Sequence, residues 1–396
     1  MTTRIIHVSD THIGLRQYRS PIRRDDFAAA FEQVVDIALG EHPEHDIPPV
    51  DAVIHTGDLF DDQTTRLEDV YQCQETLQRL SEAEIPFYGI IGNHERKLHT
   101  QFMDLYEGNE LATRLGRTPT MVSTDIALYG IDAVRDKSWE SADFSLTPPE
   151  NDDVYKMVCM HQLFSPPIDD PFISQYELEP IIERFSLNID AIALGDYHAR
   201  CSAEVNGVKA FYPGSTERCS RKEMAPRSVD LLTIDTSREN PLERRKLELK
   251  TRPFNVIDVE FGRDDGYEYA KQRIDEYDLT DAVAIVLLQG ETVPVTKQQI
   301  HELLRSKGAA VTRVEDKRSL TDFDVSDASE QTDIKDMDTA VNEALAELEL
   351  SGESTHIEDI VRDLNDIAQS NVQGEVSQYI AQAESQHFDA DTEDEQ

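Results

Sequence analysis

The chain has 396 residues, with 79 acidic against 38 basic side chains and a formal net charge of −41. Its four cysteines form no C-x-x-C pair, it opens on a strand-like run, and no apolar stretch reaches membrane length. These features argue against a disulfide scaffold, a zinc finger, an exported protein and a membrane protein, and lead us to expect a soluble cytoplasmic protein of two or three domains.

In chain order, residues 4–9 read as a strand that ends on Asp10-Thr11-His12. A basic loop with Arg16, Arg19, Arg23 and Arg24 follows. An amphipathic helix over 26–39 then carries Phe27, Phe31, Val34, Val35 and Ala38 on one face. Residues 50–56 are a strand ending on Gly57-Asp58, and 67–83 a second helix with Val70, Leu77 and Leu80 on its apolar face. Residues 85–91 are a strand ending on Gly92-Asn93-His94-Glu95, with Arg96 and Lys97 directly behind. Strands over 154–160 and 189–194 end on His161 and on Gly195-Asp196-Tyr197-His198. The pattern then turns β-rich over 208–212 and 229–234, with Arg218, Arg221 and Lys222 after a Tyr212-Pro213-Gly214-Ser215 turn. Cys159, inside an apolar strand, reads as core.

A new unit begins near Arg252-Pro253. It alternates strand 254–261, helix 266–277, strand 282–289, helix 296–306 and strand 309–315. From about residue 319 the composition shifts to acid with hardly a base. Within this tail, segments at about 340–350 and 356–369 are amphipathic, the second with Ile357, Ile360, Val361, Leu364 and Ile367 on one stripe. An apolar stripe in an acidic tail has no domain core of its own to join, and it suits a groove on a partner protein. We therefore divide the chain into 1–250, 251–318 and 319–396.

Strand ends in a layered sheet fold bring distant residues together. The five strand-end motifs pool Asp10, Asp58, Asp196, His12, His94, His161, His198 and Asn93, with no cysteine among them. Oxygen and imidazole donors suit Mn²⁺, Mg²⁺, Fe²⁺ or Zn²⁺. The set is large enough for two adjacent ions that share a bridging carboxylate, the arrangement of a phosphoesterase. Each motif alone is weak, and the inference belongs to the ensemble. Three basic clusters beside these motifs, in so acidic a chain, point to phosphate: Arg16, Arg19, Arg23 and Arg24; Arg96 and Lys97; Arg218, Arg221 and Lys222. An acid excess of this size is unusual for a binder of phosphate. It keeps a protein hydrated where multimolar salt screens self-repulsion, so the composition points to a halophilic archaeon as source.

Six segments carry a resemblance: His7-Val-Ser-Asp-Thr-His-Ile-Gly14, Arg16-Gln-Tyr18, Arg24-Asp-Asp-Phe27, His55-Thr-Gly-Asp-Leu-Phe60, Gly89-Ile-Ile-Gly-Asn-His-Glu95 and Tyr212-Pro-Gly-Ser-Thr-Glu-Arg218. The sequence resembles the calcineurin-like metallophosphoesterase superfamily. The Arg-Gln-Tyr and Tyr-Pro-Gly-Ser-Thr-Glu-Arg segments make it most similar to the SbcD-like DNA double-strand-break repair nucleases of the Mre-eleven type. The resemblance is good over about the first 250 residues and looser beyond. It implies an α/β fold, a four-layer α+β sandwich of two packed sheets flanked by helices, with a small α/β capping domain that helps to grip DNA.

The resemblance further implies a manganese-dependent 3′→5′ exonuclease and single-strand endonuclease with two ions per subunit, Mg²⁺ or Fe²⁺ serving as alternatives. Asp10, His12, Asp58 and His198 would hold one ion, and Asp58, Asn93, His161 and position 196 the other. His94 is then the general acid for the departing 3′-oxygen. The resemblance also implies a homodimer on DNA ends at the nucleoid, joined through the C-terminal helices to an SMC-like ATPase of the Rad-fifty type. Two positions depart from the pattern. Asp196 stands where Gly-His-x-His has its first histidine, and Asp61 where this branch carries a second catalytic histidine. The first departure keeps open a DNA-end-binding scaffold with weak nuclease. The superfamily motifs alone would also fit a phosphatase or another phosphodiesterase.

Overall fold

The computed structural model describes residues 2–318. Its frame is a pair of six-stranded sheets. The first runs Leu242–Glu248, Ser228–Asp235, β1 (Thr2–Val8), β2 (Ala52–His55), β3 (Phe87–Gly89), Thr113–Arg114. The second runs Cys201–Val205, Val208–Tyr212, Ala191–Gly195, Tyr155–His161, Ile126–Ile131, Thr120–Ser123.

Strand alternation explains the layers. Ile5, Ile54, Met157, Cys159, Ala193 and Phe211 meet between the two sheets. Their chain neighbours face the opposite way, as the period of a strand demands. Ile6 and Val53 pack under helices α1 (Pro21–Leu39) and α2 (Leu67–Glu82), against Phe31, Val34, Leu77 and Leu80. Val158 and Ile192 pack with Leu178, Ile181 and Trp139 on the far side. Strands covered on both faces read as continuous apolar runs, which is why their sequences were legible.

The strands that carry the motifs are parallel within each sheet. β1 pairs with β2 and β2 with β3, while Tyr155–His161 pairs with Ala191–Gly195. Within each sheet these ends share one edge, the two edges meet where His161 lies 3.2 Å from Asp58, and ligands of open α/β sheets bind outside such carboxyl ends.

Several elements differ from the expectations. α1 starts at Pro21 rather than 26, because proline is preorganised for the first helical turn; Arg23 and Arg24 therefore lie on the helix and not in a loop. The short helices α3 (Phe102–Gly108) and Leu178–Arg184 and the strand Ile126–Ile131 had no counterpart in the sequence pattern.

From Phe254 the chain builds a separate three-stranded parallel sheet, Phe254–Phe261, Val283–Gly290 and Val311–Asp316. Helices Tyr267–Ile274 and Lys297–Ser306 cover one face of it, the second opened by a Thr296–Gln299 capping box. Its other face packs Phe254, Val283, Ile285 and Val311 onto Tyr18 and Ile22, at the start of α1. Among the described residues no helix is long and apolar enough to cross a membrane. The segments around 340–350 and 356–369, with Ile357, Ile360, Val361, Leu364 and Ile367, lie outside the described residues.

Candidate metal centre

Backbone geometry aims the side chains. Asp10, His12, Asp58 and Asp196 all hold positive φ, at 53°, 43°, 56° and 85°. Such conformations strain a residue with a Cβ by roughly 1–3 kcal/mol each and persist only where the surroundings enforce them. Gly92 is required beside them, since a Cβ there would sit 2.0 Å from Asp58 Oδ1 and 2.2 Å from the Asp58 nitrogen.

The structure brings all eight pooled residues to one place. His12 Nε2 lies 3.3 Å from His198 Nε2 and 3.9 Å from Asp58 Oδ2, and His198 Nε2 lies 3.8 Å from Asp10 Oδ1. On the other side of Asp58, His161 Nε2 is 3.2 Å from its Oδ2, 3.8 Å from Asp196 Oδ1 and 2.9 Å from Asn93 Oδ1. Asp58 thus stands between two donor groups. Asp10, His12, Asp58 and His161 are 0%, 2%, 1% and 1% exposed.

This donor set fits divalent cations. Among the described residues, no Lys or Arg forms an ion pair with Asp10, Asp58 or Asp196. Uncompensated buried carboxylates are strongly unfavourable. Burial, with the charges of Asp58 and Asp10, pushes the Asp196 carboxyl up to about 6 against the pull of His161. His161 and His198 are both driven well above the usual imidazole range. In each case burial opposes the shift and is outweighed, by Asp58 and Asp196 for His161 and by Cys219, Glu223 and Asp10 for His198. The cluster demands positive charge. Asn93 places its side-chain amide against His161 and Asp58, its oxygen 2.9 Å from His161 Nε2. Turned over, its nitrogen would donate to His161 Nε2 at 2.9 Å and to Asp58 Oδ2 at 3.1 Å.

A surrounding layer fixes the ligand orientations. His161 Nδ1 donates to the Thr56 carbonyl at 2.7 Å, leaving Nε2 aimed at the carboxylates. His198 Nδ1 donates to Glu223 Oε1 at 3.0 Å, and Glu223 is itself held by the Cys219 N–H and by Arg227. Glu95 is buried and accepts from the N–H groups of Leu59, Phe60 and Gly92 at 3.2–3.3 Å, tying the Asp58 loop to the Asn93 loop. Burial and the nearby Asp58 charge push its carboxyl up to about 7.

His94 stands at the exposed mouth. Its backbone N–H donates to Asp58 Oδ1 at 3.0 Å and its ring Nδ1 to the Asp61 carbonyl at 2.9 Å. The Asp61 carboxylate lies 3.5 Å from His12 Nδ1, behind the donor groups.

The basic clusters are less uniform than the sequence suggested. Arg19 and Lys222 are exposed, and Arg16 is half-buried. Arg24 pairs with Asp69 at 2.5 Å and Arg221 with Glu315 at 2.8 Å. Arg218 bonds Thr251 at 2.7 Å, Arg96 bonds the Ala133 carbonyl, and Lys97 lies 3.4 Å above the Phe102 ring. Arg23 is a correction. It is 0% exposed, bonded to Gln17, Asp26 and the Arg218 carbonyl and packed between Phe27 and Phe254, so it cannot reach a phosphate. Glu223 and Cys219, both in contact with His198, were missed, and no local motif marks either.

Comparison with known proteins places these features in a family. The calcineurin-like phosphoesterase model matches residues 3–200. The chain is similar to the DNA double-strand break repair protein Mre11 of Haloferax volcanii, 38% identical over 380 residues, covering 96% of this chain and 81% of the relative. It is 33% identical over 362 residues to the protein of that name from Halobacterium salinarum, covering 91% and 89%. The Methanosarcina mazei protein of that name is 37% identical over 383 residues, and there the match covers 94% of this chain and 58% of the relative.

Proposed function

Because the chain belongs to the calcineurin-like phosphoesterases and, within them, to the Mre11 family of DNA double-strand break repair proteins, we propose that it is a metal-dependent nuclease acting on DNA ends. The observation that carries the reading is the convergence of eight donor and acid groups from five strand ends around one shared carboxylate, Asp58. The salt-loving source read from composition fits relatives from Haloferax and Halobacterium.

In this reading Asp10, His12, Asp58 and His198 would hold one ion, and Asp58, Asn93, His161 and Asp196 the other. Mn²⁺ is the preferred metal, with Mg²⁺ or Fe²⁺ as alternatives, since oxygen donors dominate the second position. When bound, such a pair supplies water activation at neutral pH and charge neutralisation at the phosphoryl group. The chain's own residues do the rest. The Asp61 carbonyl can only accept, so His94 Nδ1 carries a proton and Nε2 is the atom that delivers one to the leaving 3′-oxygen. Arg19 and Lys222, with the exposed parts of Arg16, Arg24, Arg96, Lys97, Arg218 and Arg221, position the DNA backbone. No base is read, so recognition follows structure and not sequence.

Leu67 and Tyr71 on α2 and Leu98 and Leu105 at α3 are exposed apolar side chains. The two helices touch where the Tyr106 hydroxyl bonds the Val70 carbonyl at 2.9 Å. This face would bury itself against a second copy in a homodimer. The stripe Ile357, Ile360, Val361, Leu364 and Ile367 would dock on an SMC-like ATPase of the Rad-fifty type, giving a heterotetramer working at the nucleoid.

The test is degradation of a 5′-labelled duplex in multimolar KCl with Mn²⁺, comparing wild type with His94→Ser and Asp58→Ala. Shortening from the 3′ end by wild type alone supports the nuclease. A wild type that binds the duplex and leaves it intact supports the scaffold reading, which the carboxylate at Asp196 favours. Failure to bind DNA at all would direct the search to another phosphoester.

A further inference from the structure

We propose that Cys219 supplies a sulfur donor to the first metal position, so that the two positions differ in chemistry, one soft and one hard. This rests on the two-metal reading above. The donor atoms of His12, His198 and Cys219 lie within 4.8 Å of one another. Glu223 accepts from His198 Nδ1, so His198 Nε2 offers a lone pair once an incoming cation displaces its proton. It offers it toward His12 Nε2, 3.3 Å away on a side chain that is 2% exposed. Two imidazole nitrogens this close must share a proton or a cation, and the cysteine closes a third side.

The backbone of Cys219 is held there by the same carboxylate that holds the imidazole. Glu223 accepts from the Cys219 backbone N–H at 3.0 Å through Oε2 and from His198 through Oε1 at 3.0 Å. The thiol itself donates to the Glu217 carbonyl at 3.7 Å, a long and weak bond that a metal can displace. Ions of this class hold sulfur at about 2.3 Å and imidazole nitrogen at about 2.0 Å, which sets neighbouring donors roughly 3.5 Å apart. The histidine pair already meets that spacing. Cys219 Sγ, within 4.8 Å of both nitrogens, can reach it by a small side-chain rotation.

Among the described residues the second position has no such donor. Asp58, Asp196 and the Asn93 amide oxygen surround a single imidazole, His161. Thiolate and imidazole select Zn²⁺, Fe²⁺ or Co²⁺, whereas carboxylate and carbonyl oxygens suit Mn²⁺ and Mg²⁺. Asp196 in place of a histidine hardens one position, and Cys219 softens the other.

The experiment is a Co²⁺ titration of the chelator-stripped full chain in multimolar KCl, followed by near-ultraviolet absorbance and elemental analysis. A thiolate-to-cobalt charge-transfer band that grows with bound cobalt, persists in Cys201→Ser and vanishes in both Cys219→Ser and Cys219→Ala supports the proposal, provided circular dichroism shows the variants folded. The Zn²⁺ affinity of Cys219→Ser, measured against a chromophoric chelator, should then fall by at least about 10- to 100-fold, the loss that even an outer partner of a ligand causes. Two bound cobalt ions per chain without the band overturn the role of Cys219 and leave the two-metal reading standing. A band that survives in Cys219→Ser overturns it as well. No bound cobalt at all overturns both.

Discussion

Replacing Arg23 with methionine should unfold the protein more readily and leave the DNA contacts of the folded molecule intact. The guanidinium donates to Gln17 Oε1 at 2.9 Å, Asp26 Oδ2 at 2.7 Å and the Arg218 carbonyl at 3.0 Å, and lies 3.3 Å from Glu217 Oε1. Asp26 keeps Arg252 at 2.8 Å after the change, so the group most affected is Glu217, which is 1% exposed and keeps only the more distant Arg218 guanidinium at 3.9 Å. Removing one partner of a buried pair costs about 3–5 kcal/mol. Methionine preserves the packing of the aliphatic stem against Phe27 and Phe254, which holds the loss to the lower end, about 3 kcal/mol. The assay is urea unfolding at fixed KCl. Adding Glu217→Gln should recover about 0.5–3 kcal/mol, because the two side chains are coupled. Arg19→Ala is the contrast: it should leave stability within about 0.5 kcal/mol and lower the slope of log affinity against log salt by about one phosphate contact. If Arg23→Met keeps wild-type stability and lowers that slope instead, Arg23 is a phosphate contact and its assignment to the interior is wrong.

Glu223→Ala should release the His198 ring and weaken metal binding by about 10- to 100-fold, measured by competition with a chelator, while far-UV circular dichroism stays unchanged. Gly92→Ala places a Cβ 2.0 Å from Asp58 Oδ1, so it should lower the metal bound per chain and abolish nuclease activity; Gly108→Ala, with nothing within 4 Å, should do neither. Tyr71→Glu combined with Leu67→Glu should convert a dimer to a monomer in sedimentation without lowering the unfolding midpoint, since both side chains are exposed. A dimer that persists would place the interface on another face.

What the sequence revealed, and what it hid, follows from the range of each interaction. The five motifs were legible because each sits directly behind an apolar strand, and parallel pairing carries their ends to one edge of each sheet. Arg23 was misread because its fate depends on Glu217 and Phe254, about two hundred residues away or more, and a local pattern can only treat an arginine beside charged neighbours as surface. Glu223 left no trace for a similar reason: the pairing that matters joins it to His198 across 25 positions with no periodic signal. The positive φ of Asp10, His12, Asp58 and Asp196 was hidden too, for only glycine advertises that conformation, and here the close approach of Gly92 to Asp58 is its trace.

The net charge of −41 is at first sight an obstacle to binding a polyanion. Range removes the contradiction. At 1 M salt the Debye length is about 3 Å, so the repulsion between an acidic surface and DNA is screened almost to contact. Recognition is then decided by groups that touch, where a few exposed cations such as Arg19 and Lys222 can act beside a buried centre. In that centre the same acidity serves an opposite purpose. Asp10, Asp58 and Asp196, shielded from salt and unmatched by any Lys or Arg among the described residues, make the site a sink for cations. A divalent metal held there would present positive charge to a phosphodiester at contact distance, where screening no longer weakens it. Surface acidity and anion chemistry therefore coexist because one is read through solvent and the other is not.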